Sequence, residues 1–158
     1  MQLSPNVFDV WTFRRTPDGI RFLLLYASAE KAERHFNGGR FWQIPSDLVK
    51  DGEHVTDAIA RTVRAFGLKA RAIWAAEHVY TIYNRRFNEM QIIAVYAAEV
   101  HESVVRLNAA EHSEFEWLTL EECLSRVHYR GLKEGLRSVH EYITGPAEPA
   151  RELCLYSG

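Results

Sequence analysis

The chain has 158 residues, of which 47% are hydrophobic and 25% are charged, and its formal net charge is −2. This length and composition are typical of a single globular domain and exclude an intrinsically disordered chain. A net charge this small does not indicate the excess of basic residues that is typical of a protein that binds a nucleic-acid polymer.

The two cysteines, Cys123 and Cys154, are too few for the disulfide framework of a secreted protein, and they have no partner at metal-binding spacing. Residues 1–13 lack the basic and apolar regions of a signal peptide. No apolar run approaches the roughly 20 residues of a membrane span. We therefore expect a cytoplasmic protein without a membrane partner; the sequence leaves its oligomeric state unknown.

The N-terminal segment predicts a β-hairpin. The side chains of residues 7–13 would alternate between the two faces of a strand, and both faces would be mostly apolar. This pattern is typical of a strand buried on two faces. Residues 16–19 (Thr-Pro-Asp-Gly) form a turn, because Pro fixes φ and Gly accepts a positive φ. Residues 20–26 are the second strand. The polar residues 28–39, which end in Asn-Gly-Gly, predict a long loop with at most one helical turn.

The clearest predicted helix follows a short apolar stretch at residues 41–45. Its apolar residues recur at helical spacing and form one continuous stripe. The stripe consists of Val55, Ala58, Ile59, Thr62, Val63 and Phe66. Gly67 occupies the position at which a glycine commonly ends a helix.

The second half of the chain predicts two long strands, residues 72–83 and 91–100, and a short one at residues 104–107. Thr119 and Glu122 form a capping-box pattern, which predicts a helix to about residue 127. A last helix begins near residue 131 and ends at Gly145-Pro146. We interpret residues 1–145 as one domain and residues 146–158 as a tail that is poorly ordered or lightly docked.

A longer pattern runs from Trp42 to Leu68. It consists of Trp42-Gln43-Ile44-Pro45-Ser46-Asp47, Gly52-Glu53, Arg61, Val63 and Gly67-Leu68. This pattern resembles the Nudix box, G-x5-E-x7-R-E-U-x-E-E-x-G-U, in which U is a bulky aliphatic residue. Residues 111–122 resemble the segment before the last helices of MutT-like and dihydroneopterin-triphosphate diphosphatase-like members. The resemblance covers about residues 7–142 and implies an α/β fold, a Nudix-type α/β/α sandwich with a mixed central sheet.

The sequence differs from the Nudix box at the positions of the metal ligands. Thr62 replaces the Glu after the box Arg, and residues 64–67 (Arg-Ala-Phe-Gly) are one residue short and carry no carboxylate. In the family, Mg²⁺ or Mn²⁺ polarises a diphosphate and activates the attacking water, and such cations need several oxygen ligands. We therefore predict a degenerate Nudix box with no metal ligands and expect no cofactor. Mg²⁺ or Mn²⁺ is expected only if the chain is an active enzyme.

The structural half of the box is retained. It comprises Asp47, at the position of the first box Gly, together with Glu53, Arg61 and Gly67. The resemblance implies that Glu53 and Arg61 form a pair that ties the box loop to the helix, since an Arg–carboxylate pair can be bidentate. The helix face expected to turn toward the substrate carries Asp57, Ala60, Arg61, Arg64 and Ala65. The alternative is an ordinary amphipathic helix of another α/β protein.

The candidate ligand-binding residues are basic or aromatic, because guanidinium and ammonium groups pair with phosphate and aromatic rings stack on bases. They are Arg40, Trp42, Lys50 and Arg64. Phe36, Phe41 and Tyr80 are further candidates for an aromatic lining. His78 and His112 are interpreted as ordinary polar residues.

Three functions remain open. The first is a Nudix-fold protein, weak or inactive as a diphosphohydrolase, that binds a small anionic, nucleotide-like ligand. The second is an active Nudix hydrolase of nucleoside diphosphate-linked substrates that uses rearranged carboxylates, with Glu53 and Glu114 as candidate catalytic residues and Glu111 beside them. The third is a structural or protein-interaction module. Metal dependence separates the first two, and ligand-induced thermal stabilisation separates the first from the third.

Overall fold

The computed structural model describes residues 1–158 and has one mixed sheet with helices on both faces. The strands are β1 (Gln2–Thr16), β2 (Gly19–Ala27), β3 (Trp42–Gln43), β4 (Ser46–Leu48), β5 (Ala72–Asn84), β6 (Glu89–Glu99), β7 (His112–Leu118) and β8 (Cys154–Ser157). The helices are α1 (Ala29–His35), α2 (Val55–Arg64), α3 (Leu120–Arg126) and α4 (Arg130–Val139), and a π-helical turn (His140–Thr144) continues α4. None of them has the length and apolar content needed to cross a membrane.

The long strand β1 organises the sheet, pairing in parallel with β6 and antiparallel with β2. Side chains alternate between its two faces. Trp11 and Phe13 pack in the core that includes α3 and α4, whereas Phe8 and Val10 pack in the core that includes α2. Burial on both faces explains the apolar character of the strand, and the predicted α/β/α sandwich with a mixed sheet is confirmed.

The sheet splits between β1 and β2. These strands pair with each other only near their hairpin, from Phe13 opposite Phe22 to the turn. Farther from the turn, β1 pairs with β4, where Asp9 lies opposite Ser46, while β2 pairs with β3 and β7. The split leaves a cleft on the side of the sheet that carries α4.

The predicted hairpin, the α2 stripe and the capping box of α3 are present. Residues 28–39 differ from the predicted loop, because they contain α1. Ser28 caps this helix by accepting a hydrogen bond from the backbone N–H of Lys31 (3.0 Å), and Ala32 is buried beneath it. The side-chain cap and the buried alanine stabilise this helix in an otherwise polar segment, and ion pairs from Lys31 and Arg34 to Glu111 add to them.

Two other segments also differ from the prediction. Residues 104–107 form no strand; the backbone N–H of Arg106 donates a single hydrogen bond to the carbonyl of Phe66 (2.9 Å). Strand β7 is absent from the predicted strands, although Glu114-Phe115-Glu116-Trp117 alternates acidic and aromatic residues as a strand buried on one face does. The C-terminal residues add β8 to the edge of the sheet, where Ser157 lies opposite Ala72.

Candidate functional site

A cleft of about 1290 Å³ opens where the sheet splits. It is lined by residues of β1, β3, β5 and β6, of α1, and of the first turn of α4. Five of its lining residues are Lys or Arg and only two are acidic, which makes the cleft electropositive. The basic residues are Lys31, Arg40, Arg85, Arg126 and Arg130, and the acidic residues are Asp9 and Glu134.

One side of the cleft is an aromatic wall formed by Tyr26, Phe36, Phe41, Trp42 and Tyr129. Its rings contact one another in two groups: Tyr26 and Trp42 have a centroid distance of 4.9 Å, and Phe41 lies 4.8 Å from Phe36 and 5.1 Å from Tyr129. Tilted and edge-to-face contacts of this kind hold aromatic side chains in fixed orientations. The wall therefore offers a flat ligand a rigid surface to stack against.

Two guanidinium groups lie over this wall. Arg40 sits 4.5 Å from the Tyr26 ring centroid, and Arg126 sits 5.3 Å from that of Trp42. The Arg40 side chain is further held by hydrogen bonds to the carbonyl of Ala27 (2.8 Å) and to Ser113 Oγ (2.6 Å). Cations stacked on aromatic faces place positive charge beside the stacking surface.

The structure separates the four predicted ligand-binding residues. Arg40 and Trp42 line the cleft, whereas Lys50 is exposed in the box loop. Arg64 lines a different cleft of about 420 Å³, together with Asp57 and Ala60 of α2. Three of the five residues on the α2 face that was expected to turn toward the substrate therefore line this smaller cleft, whereas Arg61 and Ala65 do not.

One end of the large cleft carries a group of three side chains from distant parts of the chain. The ammonium of Lys31 lies 3.4 Å from Nε2 of His112, whose ring is 5.9 Å from that of Phe66. Burial, followed by the charge of Lys31, lowers the pKa of His112 to about 4, so this histidine is neutral at physiological pH. Burial also lowers the pKa of Lys31.

The floor of the cleft contains Asp9, which is only 4% exposed. Ser46 Oγ donates a hydrogen bond to its Oδ1 (2.5 Å), and the Tyr80 hydroxyl donates one to its Oδ2. Burial raises the pKa of Asp9 above its ordinary value, although both hydrogen bonds act in the opposite direction. One signal of this residue is visible in the sequence, since Asp9 is a single carboxylate in a segment, residues 7–13, that is otherwise mostly apolar on both faces.

The box loop is held by the guanidinium of Arg61. Its Nε and Nη2 donate to the two carboxylate oxygens of Glu53 (3.0 and 2.9 Å), and Nη2 also donates to the carbonyl of Leu48 (2.9 Å). The hydrogen bonds from Arg61, joined by one from the backbone N–H of Lys50, lower the pKa of Glu53 to about 2. The contact expected between Glu53 and Arg61 is present, and its contribution to stability stays a prediction.

The two other residues of the structural box also have defined places. Asp47 replaces the first Gly of the box. Its Oδ2 accepts a 3.0 Å hydrogen bond from Nη1 of Arg61, so that Arg61 contacts two carboxylates. Gly67 follows the end of α2 with φ of +77°, a conformation that a residue with a side chain rarely adopts. The loop before α2 and the turn after it are thus both fixed locally.

The family model of the NUDIX domain matches residues 5–139. The chain belongs to the Nudix family. No curated protein matches the chain.

Solved structures share the fold of this Nudix protein. A candidate Nudix hydrolase from Listeria monocytogenes has a TM-score of 0.75 at 17% identity, over 93% of this chain and 99% of that chain. The Nudix domain of Shewanella oneidensis NrtR in complex with ADP ribose has a TM-score of 0.67 at 14% identity, over 89% of each chain. The Caenorhabditis elegans Ap4A hydrolase has a TM-score of 0.62 at 19% identity, over 89% of this chain and 99% of that chain.

The Nudix-box positions after Arg61 do not present oxygen ligands to the cleft. Thr62 is 4% exposed, and its hydroxyl donates to the carbonyl of Ala58 one turn earlier (2.8 Å). Ala65 has no polar side chain, and Phe66 presents its ring to the cleft. No group of three or more His, Cys, Asp or Glu side chains is arranged to hold a metal ion. This donor set does not fit a hard divalent cation, which needs several oxygen ligands.

The candidate catalytic carboxylates of the Nudix protein lie apart. Glu53 is in the box loop against Arg61, and Glu114 is exposed on β7, opposite Tyr26 in the neighbouring strand. Glu111 forms ion pairs of 3.5 Å with both Lys31 and Arg34. The structure does not bring Glu53 and Glu114 together, and neither lines the large cleft.

Proposed function

We propose that this Nudix protein binds a small, ring-bearing anion of the nucleotide class in the large cleft and is weak or inactive as a diphosphohydrolase. The observation that carries the proposal is the meeting of the aromatic wall with five Lys or Arg side chains in one cleft. An aromatic surface stacks a base, and cationic side chains pair with phosphate. A nucleotide presents both chemistries in one molecule.

Proteins of the same fold bind ligands of this kind. The Shewanella NrtR Nudix domain is complexed with ADP ribose, and the Caenorhabditis elegans protein is an Ap4A hydrolase. Both compounds join rings to phosphate groups. These ligands support a ligand of the nucleotide class for this chain. The support rests on the shared fold and not on a high sequence identity.

The charge of the ligand is balanced by side chains in this proposal. Nudix proteins usually use divalent metals for that purpose, but the box positions here carry Thr62, Ala65 and Phe66, which do not fit the metal. Lys31 lies at the end of the cleft that Phe66 also lines. Its ammonium lies between Glu111 and His112, and we assign it to the phosphate of the ligand.

The alternative of an active hydrolase with rearranged carboxylates receives less support. Both oxygens of Glu53 already accept hydrogen bonds from Arg61, so releasing them for a metal would break the box loop. Glu114 is exposed on β7, away from the cleft lining. The carboxylate of Glu111 is paired with two cations.

Ligand-induced thermal stabilisation tests the binding half of the proposal. ADP-ribose, ADP, GDP and Ap4A are each added at tenfold over their dissociation constants, once with EDTA and once with Mn²⁺. We expect a stabilisation of about 1.4 kcal/mol, roughly 3 to 5 °C, that does not depend on the metal. Lys31→Met should reduce the shift, whereas Arg137→Met, on the exposed side of α4, should not. A flat response to the whole panel would favour the interaction-module function.

Calorimetry with Mn²⁺ and a phosphate-release screen over a diphosphate library test the other half. We expect Mn²⁺ to bind no more tightly than about millimolar, since the box lacks the necessary oxygen ligands, and turnover to stay near background. Micromolar Mn²⁺ binding together with metal-dependent turnover would refute the proposal that the protein is weak or inactive as a diphosphohydrolase. Glu114→Gln and Glu111→Gln would then identify the carboxylate responsible.

A further inference from the structure

Asp9, on the floor of the cleft, has unused acceptor capacity. Each oxygen of a carboxylate can accept about two hydrogen bonds. Oδ1 accepts one from Ser46 and Oδ2 accepts one from Tyr80, so each oxygen retains one free position. Burying a carboxylate that is only partly hydrogen-bonded is unfavourable, and this one borders the cleft.

The positive charges of the cleft do not compensate Asp9. None of the ion pairs of the protein includes Asp9, and two of the cleft cations have partners of their own. Arg40 is held by Ala27 and Ser113, and Arg126 pairs with Glu116. The free acceptor positions of Asp9 are therefore available to a molecule that enters the cleft.

The position of Asp9 is fixed by its surroundings. Tyr80, its hydroxyl partner, stacks on His78 with ring centroids 6.0 Å apart and an interplanar angle of 25°. The first turn of α4 also approaches Tyr80 at Gly131, where a Cβ would lie 2.5 Å from the ring. The absence of a side chain at residue 131 is thus what lets Tyr80 reach Asp9.

We propose that Asp9 reads the ring of the bound nucleotide by accepting hydrogen bonds from two adjacent N–H groups, and that the preferred ligand is a guanine nucleotide. The inference rests on the proposed function, because it names the base within that ligand class. The N1–H and 2-amino groups of guanine are neighbouring donors that match the two free positions of the carboxylate. Adenine presents an acceptor in place of one donor, and hypoxanthine lacks the amino group.

Calorimetry with GDP, IDP and ADP compares the parent with Asp9→Asn. We expect the parent to bind GDP at least about tenfold more tightly than IDP or ADP, as is usual when a site built for a hydrogen bond loses one donor. Asp9→Asn should weaken GDP binding by about 10- to 100-fold, because its amide opposes the incoming N–H groups, and leave ADP binding within about twofold. Asp18→Asn, in the exposed β1–β2 turn, is the matched control and should behave as the parent.

Equal affinity of the parent for GDP, IDP and ADP, or a GDP preference that survives in Asp9→Asn, would overturn the inference while leaving the proposed function intact. If Asp9→Asn does not fold, Tyr80→Phe serves instead: it keeps the carboxylate but loosens its orientation, so the GDP preference should fall. An unchanged preference in that variant would count against Asp9.

Isocytosine, a phosphate-free fragment with the same pair of N–H donors, separates the two hypotheses. If none of the three diphosphates binds, the proposed function fails. The fragment then decides on Asp9 alone: NMR shifts at the cleft in the parent and none in Asp9→Asn support the donor-reading role, and no binding to the parent overturns it.

Discussion

Two carboxylates of this Nudix protein contrast in how they are compensated. Glu53, at the surface of the box loop, accepts hydrogen bonds from the guanidinium of Arg61 and from a backbone N–H, and these bonds lower its pKa to about 2. Asp9, at the floor of the cleft, has only two neutral hydroxyls as donors, and burial raises its pKa. The more buried carboxylate thus has the weaker partners.

The contrast separates a structural carboxylate from a ligand-facing one. Folding alone satisfies Glu53, because its cationic partner is part of the same loop and helix. Folding leaves Asp9 under-compensated, which reduces stability and keeps free the acceptor positions that a ligand needs. Residues that bind ligands commonly reduce stability in this way.

The largest effect should follow from removing the partner of the structural carboxylate. Arg61→Ala leaves Glu53 and Asp47 beside each other without a cation and removes the four hydrogen bonds of the guanidinium, so we expect the melting temperature to fall by roughly 3 to 6 °C. Arg137→Ala, which removes an exposed pair within α4, should change it by less than about 1 °C. Nucleotide preference should be unaltered. If Arg61→Ala melts like the parent, Arg61 does not stabilise the loop.

A smaller effect is expected on the cleft side from Gly131→Ala. The new Cβ would displace the ring of Tyr80, and the cost of overpacking exceeds the gain in helix propensity by about 1 kcal/mol, roughly 2 to 4 °C in melting temperature. The GDP preference should fall as well, because Tyr80 no longer orients Asp9. In a Tyr80→Ala background the same substitution should cost nothing. A full cost in that background would show that the ring is not the obstacle.

The smallest effect, and the one of opposite sign, should come from Asp9→Asn in thermal melts without ligand. Because the pKa of Asp9 is raised on folding, its ionised form destabilises the protein, and this loss appears as the pH rises above the ordinary value of 3.8. We expect the variant to melt about 1 to 2 °C above the parent at pH 8 and level with it well below pH 4.

Melting of Glu53→Gln as a function of pH should show the opposite effect. The lowered pKa of Glu53 means that its contribution is fully present above the ordinary value of 4.5 and is lost as the pH falls toward about 2. The variant should therefore melt below the parent at neutral pH and approach it in acid. The same sign for both variants at pH 8 would remove the distinction between the two carboxylates.

The sequence predicted the structural carboxylate and missed the ligand-facing one for a physical reason. Glu53 and Arg61 are eight residues apart, on a loop and the helix that follows, so their contact is set by local geometry. Asp9 and Tyr80 are separated by 71 residues. They meet only because β1 pairs with β6, which in turn pairs with β5, and no periodicity encodes that register.

Other residues of the cleft show the same difference between contacts that are local in sequence and contacts that are distant. Arg40 and Trp42, close to the box in sequence, were predicted as ligand-binding residues and do line the cleft. Lys31 and His112, separated by 81 residues, were not connected to each other. The polar helix that carries Lys31 was interpreted as a loop, since it has only one buried residue to mark a helical face.

Strand β8 has a consequence for how the molecule behaves in concentrated solution. It covers only the first three residues of β5, Ala72 to Trp74. Ser138 Oγ then donates a hydrogen bond to the carbonyl of Ala76 (2.5 Å), and the remainder of β5, which includes the exposed Val79 and Tyr83, has no strand on that side. An apolar free edge is a template for adding strands from other molecules. Here a bulge interrupts it at Glu77, which has φ of +55° and shifts the register with β6. The bulge twists the edge and breaks its hydrogen-bonding row, which disfavours the first step of aggregation.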